Sequence, residues 1–338
     1  MTADRIVSLS QIEAARALIA GKVHRTPMLS SETAARVVEA ATGARIGDGR
    51  AYLKAEHLQK TGSFKPRGMT AKVASLSAAE RQRGIITFSA GNAAQGYAYA
   101  GLAAGGVPVT VVMPAAANPT KVAATRGYGA EVVLEGDHFG EVYAAMERIR
   151  DERGLVLCHP FDDPEVIAGH GSVGLEILED LPDVDVVVVA IGGGGLISGT
   201  AAALRERRPS VRVYGVEPTG SDAMSQALAA GKPVAFAPHS VADGLNAPFA
   251  GAWTLAMVRH YVEEVVRLED STILAGLRFA MERVKQVVEP AGGAALAALL
   301  TGRIPVRAGE RVCVVLSGGN LDLARAGELL AAADPLPE

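Results

Sequence analysis

Cysteine is nearly absent from this chain: it supplies two of 338 residues, Cys158 and Cys313. Each sits in an apolar run, at 155–158 and 312–316, where a buried free thiol is expected. Two such residues support neither a disulfide framework nor a thiolate metal site, and they point to a cytoplasmic location. No apolar run is long enough to span a bilayer. Residues 1–10 lack the basic cluster and apolar core of a signal peptide. Charge of one sign is missing as well: 33 Lys and Arg against 37 Asp and Glu leave a formal charge of -4, with both signs interspersed. That excludes a basic face for nucleic acid and a polybasic tract for a membrane. A small molecule is the expected partner.

The chain is rich in apolar bulk and glycine. Hydrophobic residues make up 49%, the mean hydropathy is +0.21 and there are 38 glycines, which implies large cores joined by tight loops. The length suffices for two lobes. Ser10 and Glu13 read as a capping box that opens a helix to about Ala20. A helix at 32–40, a loop at 42–50, a strand at 51–54 and a helix at 71–76 follow. From Gly84, β-rich runs at 85–88, 107–113, 131–134 and 155–158 alternate with helical stretches at 93–104, 120–126 and 140–153. Such alternation predicts parallel strands covered by helices on both faces. It resumes with a fully apolar strand at 184–190, a helix at 201–205 and a strand at 211–216. Helices at 271–288 and 293–300 and a strand at 312–316 complete it. The expected fold class is α/β, with two open lobes of largely parallel sheet. Residues 77–161 form the smaller lobe, inserted into a larger one made of 1–76 and 162–338.

The chemistry gathers in four loops. Lys65 lies in Lys60-Thr61-Gly62-Ser63-Phe64-Lys65-Pro66-Arg67-Gly68, a loop-to-helix junction where its amine can face a cavity. That suits a Schiff-base lysine; a solvated lysine at a helix start is the plainer alternative. Gly192, Gly193, Gly194 and Gly195 follow a buried strand and open a helix, so backbone N–H groups can converge on an anion there, and a phosphate is the natural guest. Ser89-Ala90-Gly91-Asn92 and Ser317-Gly318-Gly319-Asn320 follow strands ending at Phe88 and Leu316. Ligands of open α/β sheets bind outside such carboxyl ends. The rival reading is a dinucleotide-dependent oxidoreductase, since Gly193, Gly195 and Gly199 with Glu217 fit a loosened glycine fingerprint. Ser198 breaks the strict spacing, and Lys65 has no role in that reading.

In this combination and order, the four loops resemble the fold type II pyridoxal-phosphate enzymes, with a tryptophan synthase β-like fold. The likeness is to the threonine and serine ammonia-lyases (dehydratases) and the serine racemases. It extends through Glu56-His57-Leu58-Gln59, His159-Pro160-Phe161-Asp162-Asp163, Ala242-Asp243-Gly244 and Val288-Glu289-Pro290. The resemblance implies an active site in the cleft between two lobes, with pyridoxal 5'-phosphate carried on Lys65, which then takes the substrate's α-proton. It assigns the phosphate to Gly192, Gly193, Gly194, Gly195 and Leu196, the ring hydroxyl to Asn92 and one ring face to Phe64. By the same resemblance Ser317 would face the pyridine nitrogen, and a hydroxyl cannot hold that nitrogen protonated as a carboxylate would. The weaker electron sink suits β-elimination. Ser89, Ala90, Gly91, Asn92 and Ala93 take the substrate carboxylate. The implied reaction converts a β-hydroxy amino acid such as L-threonine or L-serine to a 2-oxo acid and ammonia. A 3-hydroxyaspartate dehydratase and a serine racemase are the alternatives within the family. The resemblance also implies a homodimer.

Departures from the family pattern carry information. Racemases place a serine where this chain has Ala90, and alanine transfers no proton, so a lyase is expected over a racemase. Many relatives have a histidine where Ala93 stands, and its loss leaves room beside the substrate. Some relatives bind a divalent cation through a carboxylate that matches Glu217. Their second side-chain ligand falls on Ala223, next to Asp222; a cation held by such oxygen ligands is magnesium or calcium. Asp243 and Glu289 match positions near the cofactor, Arg67 reads as an ion-pair partner, and His57 and His159 read as satisfied loop histidines. The chain ends soon after Ser317 to Asn320, so no C-terminal regulatory domain and no feedback inhibition by isoleucine are expected.

Overall fold

A computed structural model describes residues 5–337. Of residues 1–10, read above for a leader, the first four lie outside the described residues. Ten strands are present among them: β1 Met28–Ser31, β2 Ala51–Lys54, β3 Ile85–Phe88, β4 Val109–Met113, β5 Glu131–Leu134, β6 Val156–Leu157, β7 Val186–Ala190, β8 Arg212–Pro218, β9 Glu264–Leu268 and β10 Val312–Val315. They form a six-stranded sheet in the order β1-β2-β10-β7-β8-β9 and a four-stranded sheet in the order β5-β4-β3-β6. β1 runs antiparallel to β2, and the other pairings are parallel.

The apolar strands follow from burial on both faces. In the large sheet Val187, Val189, Val213, Cys313 and Val315 point into one core, and Val186, Val188, Tyr214, Val312 and Val314 into the other. The small sheet divides in the same way, with Ile85, Val109 and Val111 on one side and Ile86, Phe88 and Val112 on the other. In the central strands β7 and β10, alternation at period two with both faces apolar leaves no polar residue to mark a solvent side. The helix Lys65–Ser75 connects the two cores, since its Ala71 packs with the large sheet and its Met69 and Val73 with the small one.

Several elements differ from the sequence expectation. The first helix is capped by Ser8, with Gln11 completing the box, because Ser10 already lies inside Leu9–Ile19. The expected helix at 271–288 ends as an α-helix at Phe279, continues as a π-type turn to Val284 and breaks at Lys285, whose φ is +63°. The break lets the chain turn back and deliver Glu289 to the cleft. The edge strands β1 and β9 escaped the sequence analysis because they are short and half exposed. So did the helix Pro164–Asp180, which contains Gly169, Gly171 and Gly174. Those glycines weaken its local signal and are needed for packing: a Cβ on Gly174 would lie 2.6 Å from the carbonyl of Thr200, in the helix Gly195–Arg207.

Beneath the helix that starts at Lys65 lies a buried ionic cluster. The Arg67 guanidinium donates from Nε and Nη2 to Glu56 at 2.7 and 2.8 Å, and from Nη1 and Nη2 to Glu176 at 2.7 and 2.8 Å. Lys54, also buried, pairs with Glu176 at 2.7 Å. Despite burial, Arg67 and Lys54 hold the Glu176 carboxyl below its ordinary value. These groups come from β2, the turn after it and two helices, so the cluster fixes the start of the Lys65 helix on the large sheet. Removing one member of such a cluster strands charge in the interior. Arg67→Ala is expected to lower unfolding stability by about 3–5 kcal/mol, read as a shift of the urea midpoint. Arg67→Lys recovers only part of this, because an ammonium cannot make both bidentate pairs.

Candidate active site

The carboxyl ends of β3, β7 and β10 open on one cleft with two connected chambers. The outer chamber has a volume of about 360 Å³ and the inner one about 40 Å³. Lys65, Asn92, Phe161, Gly193, Gly244 and Glu289 line both.

Lys65 is the first residue of its helix, with Phe64 at the cap and Pro66 fixing the first turn. A Cβ on Gly96 would lie 3.0 Å from the Lys65 Cβ, so the helix Asn92–Ala103 packs directly against the lysine stem. Among the described residues its amine makes no salt bridge; the Phe64 ring centroid lies 4.9 Å from Nζ. Burial lowers the amine to about 8, opposed by the negative charge of Glu289. Phe64 in turn meets the His170 ring edge-on at 4.8 Å, and the His170 Nδ1 accepts the Gly68 N–H at 3.1 Å.

The inner chamber is walled by Gly192 to Leu196, Phe64 and Ser317. Among the described residues none of the amides from Gly192 to Leu196 donates to a protein acceptor, so the start of the helix Gly195–Arg207 presents free N–H groups to the chamber. The lack of side chains is enforced. Gly194 has φ +91°, and a Cβ on Gly193 would lie 2.3 Å from the Phe161 ring. The Ser317 hydroxyl makes one long contact, 3.3 Å to the Ala291 carbonyl. Unpaired helix-terminal amides beside a poorly basic amine fit a phosphorylated aldehyde cofactor.

A second set of free amides lies in the outer chamber. In the loop after β3 the N–H groups of Ala90, Asn92 and Ala93 have no protein acceptor among the described residues, while Gly91 donates to the Ser89 hydroxyl at 3.2 Å. Asn92 is fixed from both ends, since its Nδ2 donates to Glu289 at 2.6 Å and its Oδ1 accepts from Asn320 at 2.7 Å. Asn320 also donates to the Thr61 carbonyl at 2.8 Å, which ties three of the four loops together. Burial raises the Glu289 carboxyl to about 7, with nearby Asp243 adding to the shift and Asn92, Lys121 and Lys65 opposing it.

Residues 19–318 match the family described as pyridoxal-phosphate dependent enzymes. The chain belongs to that family. It is 44% identical to the L-threonine ammonia-lyase of Thermotoga maritima, over 94% of this chain and 77% of the relative. It is 38% identical to the catabolic L-threonine dehydratase TdcB of Escherichia coli K12, over 99% of both. The structure of maize serine racemase superposes with a TM-score of 0.88 at 34% identity, over 96% of this chain and 97% of that one. The cofactor of this pyridoxal-phosphate dependent enzyme is therefore pyridoxal phosphate, and the fold is that of the fold type II enzymes expected from the sequence.

The structure brings Phe64, Lys65, the 89–93 loop, Gly192 to Leu196 and Ser317 to one cleft. Glu217 lies elsewhere and is otherwise engaged. Its carboxylate accepts the backbone N–H groups of Met224 and Ser225 at 2.7 and 2.9 Å, capping the helix Ala223–Ala230. Asp222 is taken by Gln226 and Arg267. Both carboxylates at the expected magnesium or calcium site thus have protein partners, and among the described residues no three His, Cys, Asp or Glu side chains form a metal-ligating cluster. The sequence analysis missed Lys121, whose amine pairs with Asp243 across the cleft mouth. It carries no local motif, and only the folded cleft brings the two together. His159 is satisfied as expected, accepting at Nδ1 from the Phe161 and Asp162 amides.

The raised Glu289 carboxyl has a stability consequence. Between its ordinary 4.5 and about 7 the folded state binds the extra proton, so stability falls as pH rises through that window. Glu289→Gln keeps an acceptor for Asn92 and removes the buried charge. In cofactor-free protein at pH 8 it is expected to be more stable than wild type by on the order of 1–3 kcal/mol. The difference should vanish toward pH 4.5 in thermal unfolding measured across pH.

Proposed function

We propose that this enzyme is an ammonia-lyase that converts a β-hydroxy amino acid, L-threonine or L-serine, to a 2-oxo acid and ammonia. One observation carries the reading: a weakly basic, unpaired amine at Lys65 stands where two chambers meet, and each chamber has its own set of free backbone amides. One set suits the cofactor's phosphate and the other the substrate's carboxylate. The names of the threonine ammonia-lyase and threonine dehydratase relatives support the same chemistry.

When bound, pyridoxal phosphate supplies the electron sink that makes the substrate's α-proton acidic. The protein's residues do the rest. Lys65 holds the cofactor and receives the α-proton on Nζ, and an amine near 8 suits a base working close to neutrality. The amides of Ala90, Asn92 and Ala93, with the Ser89 hydroxyl, hold the substrate carboxylate. Asn92, fixed by Glu289 and Asn320, keeps one Nδ2 hydrogen free and would donate it to the cofactor's ring hydroxyl. Phe64 and Ser317 line the inner chamber and would hold the cofactor's ring there, Ser317 offering its nitrogen a neutral hydroxyl and no carboxylate. Ala90 offers no proton to the face opposite Lys65, which favours elimination over racemisation. The reading takes the protein as a cytoplasmic homodimer in which 77–161 forms the smaller lobe. No described helix is long and apolar enough to cross a membrane.

Two variants test this. Lys65→Ala is expected to lose the borohydride-trapped cofactor and at least about 10²–10⁴-fold in 2-oxo acid release; retention of both would remove Lys65 from its role. Ala90→Ser restores a proton donor and should raise the ratio of D-serine formed to pyruvate released, followed by chiral chromatography. An unchanged ratio means that Ala90 does not set the reaction outcome.

A further inference from the structure

The outer chamber carries information about the substrate's side chain. We propose that it takes a β-hydroxy amino acid with a large apolar β-substituent, aryl or branched alkyl, in preference to an acidic one. This rests on the ammonia-lyase reading above and adds a side-chain class to it.

The first support is space. Ala93 is buried on the chamber wall at 4% exposure and contributes only a methyl group. A Cβ built on neighbouring Gly91 would meet nothing within 4 Å. Beside the carboxylate-binding amides the wall is thus made of small residues, Ala90, Gly91 and Ala93, with apolar Pro114, Val142 and Pro160 lining the same chamber. The second support is the opposite wall. Phe88, Phe139 and Phe161 line the chamber, and the Phe88 and Phe139 rings stand edge-on at 5.8 Å. Phe139 stays 38% exposed although it also contacts Tyr143 and Phe249. An aromatic ring left open toward a cavity is completed by an apolar ligand group, which gains burial and edge-to-face contact.

The third support is charge. The charged side chains on the chamber wall are Lys65, Lys121, Asp243 and Glu289. Lys65 serves the cofactor and Lys121 is neutralised by Asp243. Glu289 offers no positive charge. A second carboxylate on the substrate would find no unpaired side-chain cation and would lose hydration beside Glu289. The same wall therefore accepts apolar bulk and rejects 3-hydroxyaspartate.

The test uses the cofactor-loaded enzyme and two measurements. The first is kcat/KM for L-threonine, L-threo-3-phenylserine and L-threo-3-hydroxyaspartate. The second is equilibrium titration with L-phenylalanine, which lacks a β-hydroxyl to eliminate, followed by cofactor absorbance. Phenylserine is expected to match or exceed threonine, hydroxyaspartate to fall at least about tenfold below both, and phenylalanine to bind saturably. Ala93→Leu and Ala93→His fill the volume and should lower the phenylserine-to-threonine ratio by about 10- to 200-fold, and they should weaken phenylalanine binding in parallel. Thermal unfolding checks that both variants fold. Turnover of threonine with neither turnover of phenylserine nor binding of phenylalanine overturns this proposal and leaves the lyase reading intact. So does a preference for hydroxyaspartate. No 2-oxo acid from any substrate removes the lyase reading instead, and the phenylalanine titration in wild type and the Ala93 variants then decides the character of the chamber by itself.

Discussion

One half-buried amine without a carboxylate on it is the condition that the site depends on. Lys65 and Arg67 are two residues apart on the same helical turn, and their surroundings are opposite. Arg67 points into the large lobe, where Glu56 and Glu176 hold every face of its guanidinium. Lys65 points into the cleft, where Glu289 acts on it only through space and the amine is left near 8. The first arrangement anchors the helix, and the second leaves its leading residue reactive. Both are needed, because a lysine with no partner of its own is positioned only by its backbone, and the Arg67 cluster fixes that backbone. The stem is clamped from the other side by the helix that starts at Asn92, where Gly96 allows close approach.

Around that amine the site is built largely from main chain. Both candidate anion sites are sets of amide N–H groups at helix starts, and side chains enter mainly to orient them. This follows from the sheet topology, since parallel strands place helix N-termini on the edge where β3, β7 and β10 end. It also explains the glycines. At Gly193 and Gly194 a side chain would strike Phe161, Met224 or Thr254, so the loop keeps both its shape and its exposed amides only without Cβ atoms.

For the same reason much of the site was legible in the sequence. Glycine runs, a lysine followed by proline and Ser/Asn loops after apolar strands are local signals, and each encodes local backbone geometry. The alternating strands of both lobes were legible because burial on two faces leaves long apolar runs. What the sequence did not show depends on residues distant in the chain. Gly169, Gly171 and Gly174 weaken the local helical signal of Pro164–Asp180, where they serve close packing, and Lys285 ends a helix whose apolar pattern runs on. The pairing of Lys121 with Asp243 and the suspension of Asn92 between Glu289 and Asn320 link segments more than 100 residues apart. Glu217 shows the converse: its place at a strand end suggested a cation ligand, and the adjoining helix start uses the same carboxylate as a cap.

These long-range links also couple the two sheets to the chemistry. Asn92 opens a helix of the small sheet's core, whereas Glu289, Asn320 and Thr61 belong to loops bordering the large sheet. Lys121 and Phe139 likewise come from the small-sheet side and meet Asp243 and Phe249 from the other. A displacement of one lobe relative to the other would break the hydrogen bonds to Asn92, open the ionic pair and part the aromatic contact together. The orientation of Asn92 toward the cleft therefore depends on contacts supplied from both sheets. The side chain assigned to the cofactor's ring hydroxyl is thus set by loops of both sheets together and not by the 89–93 loop alone.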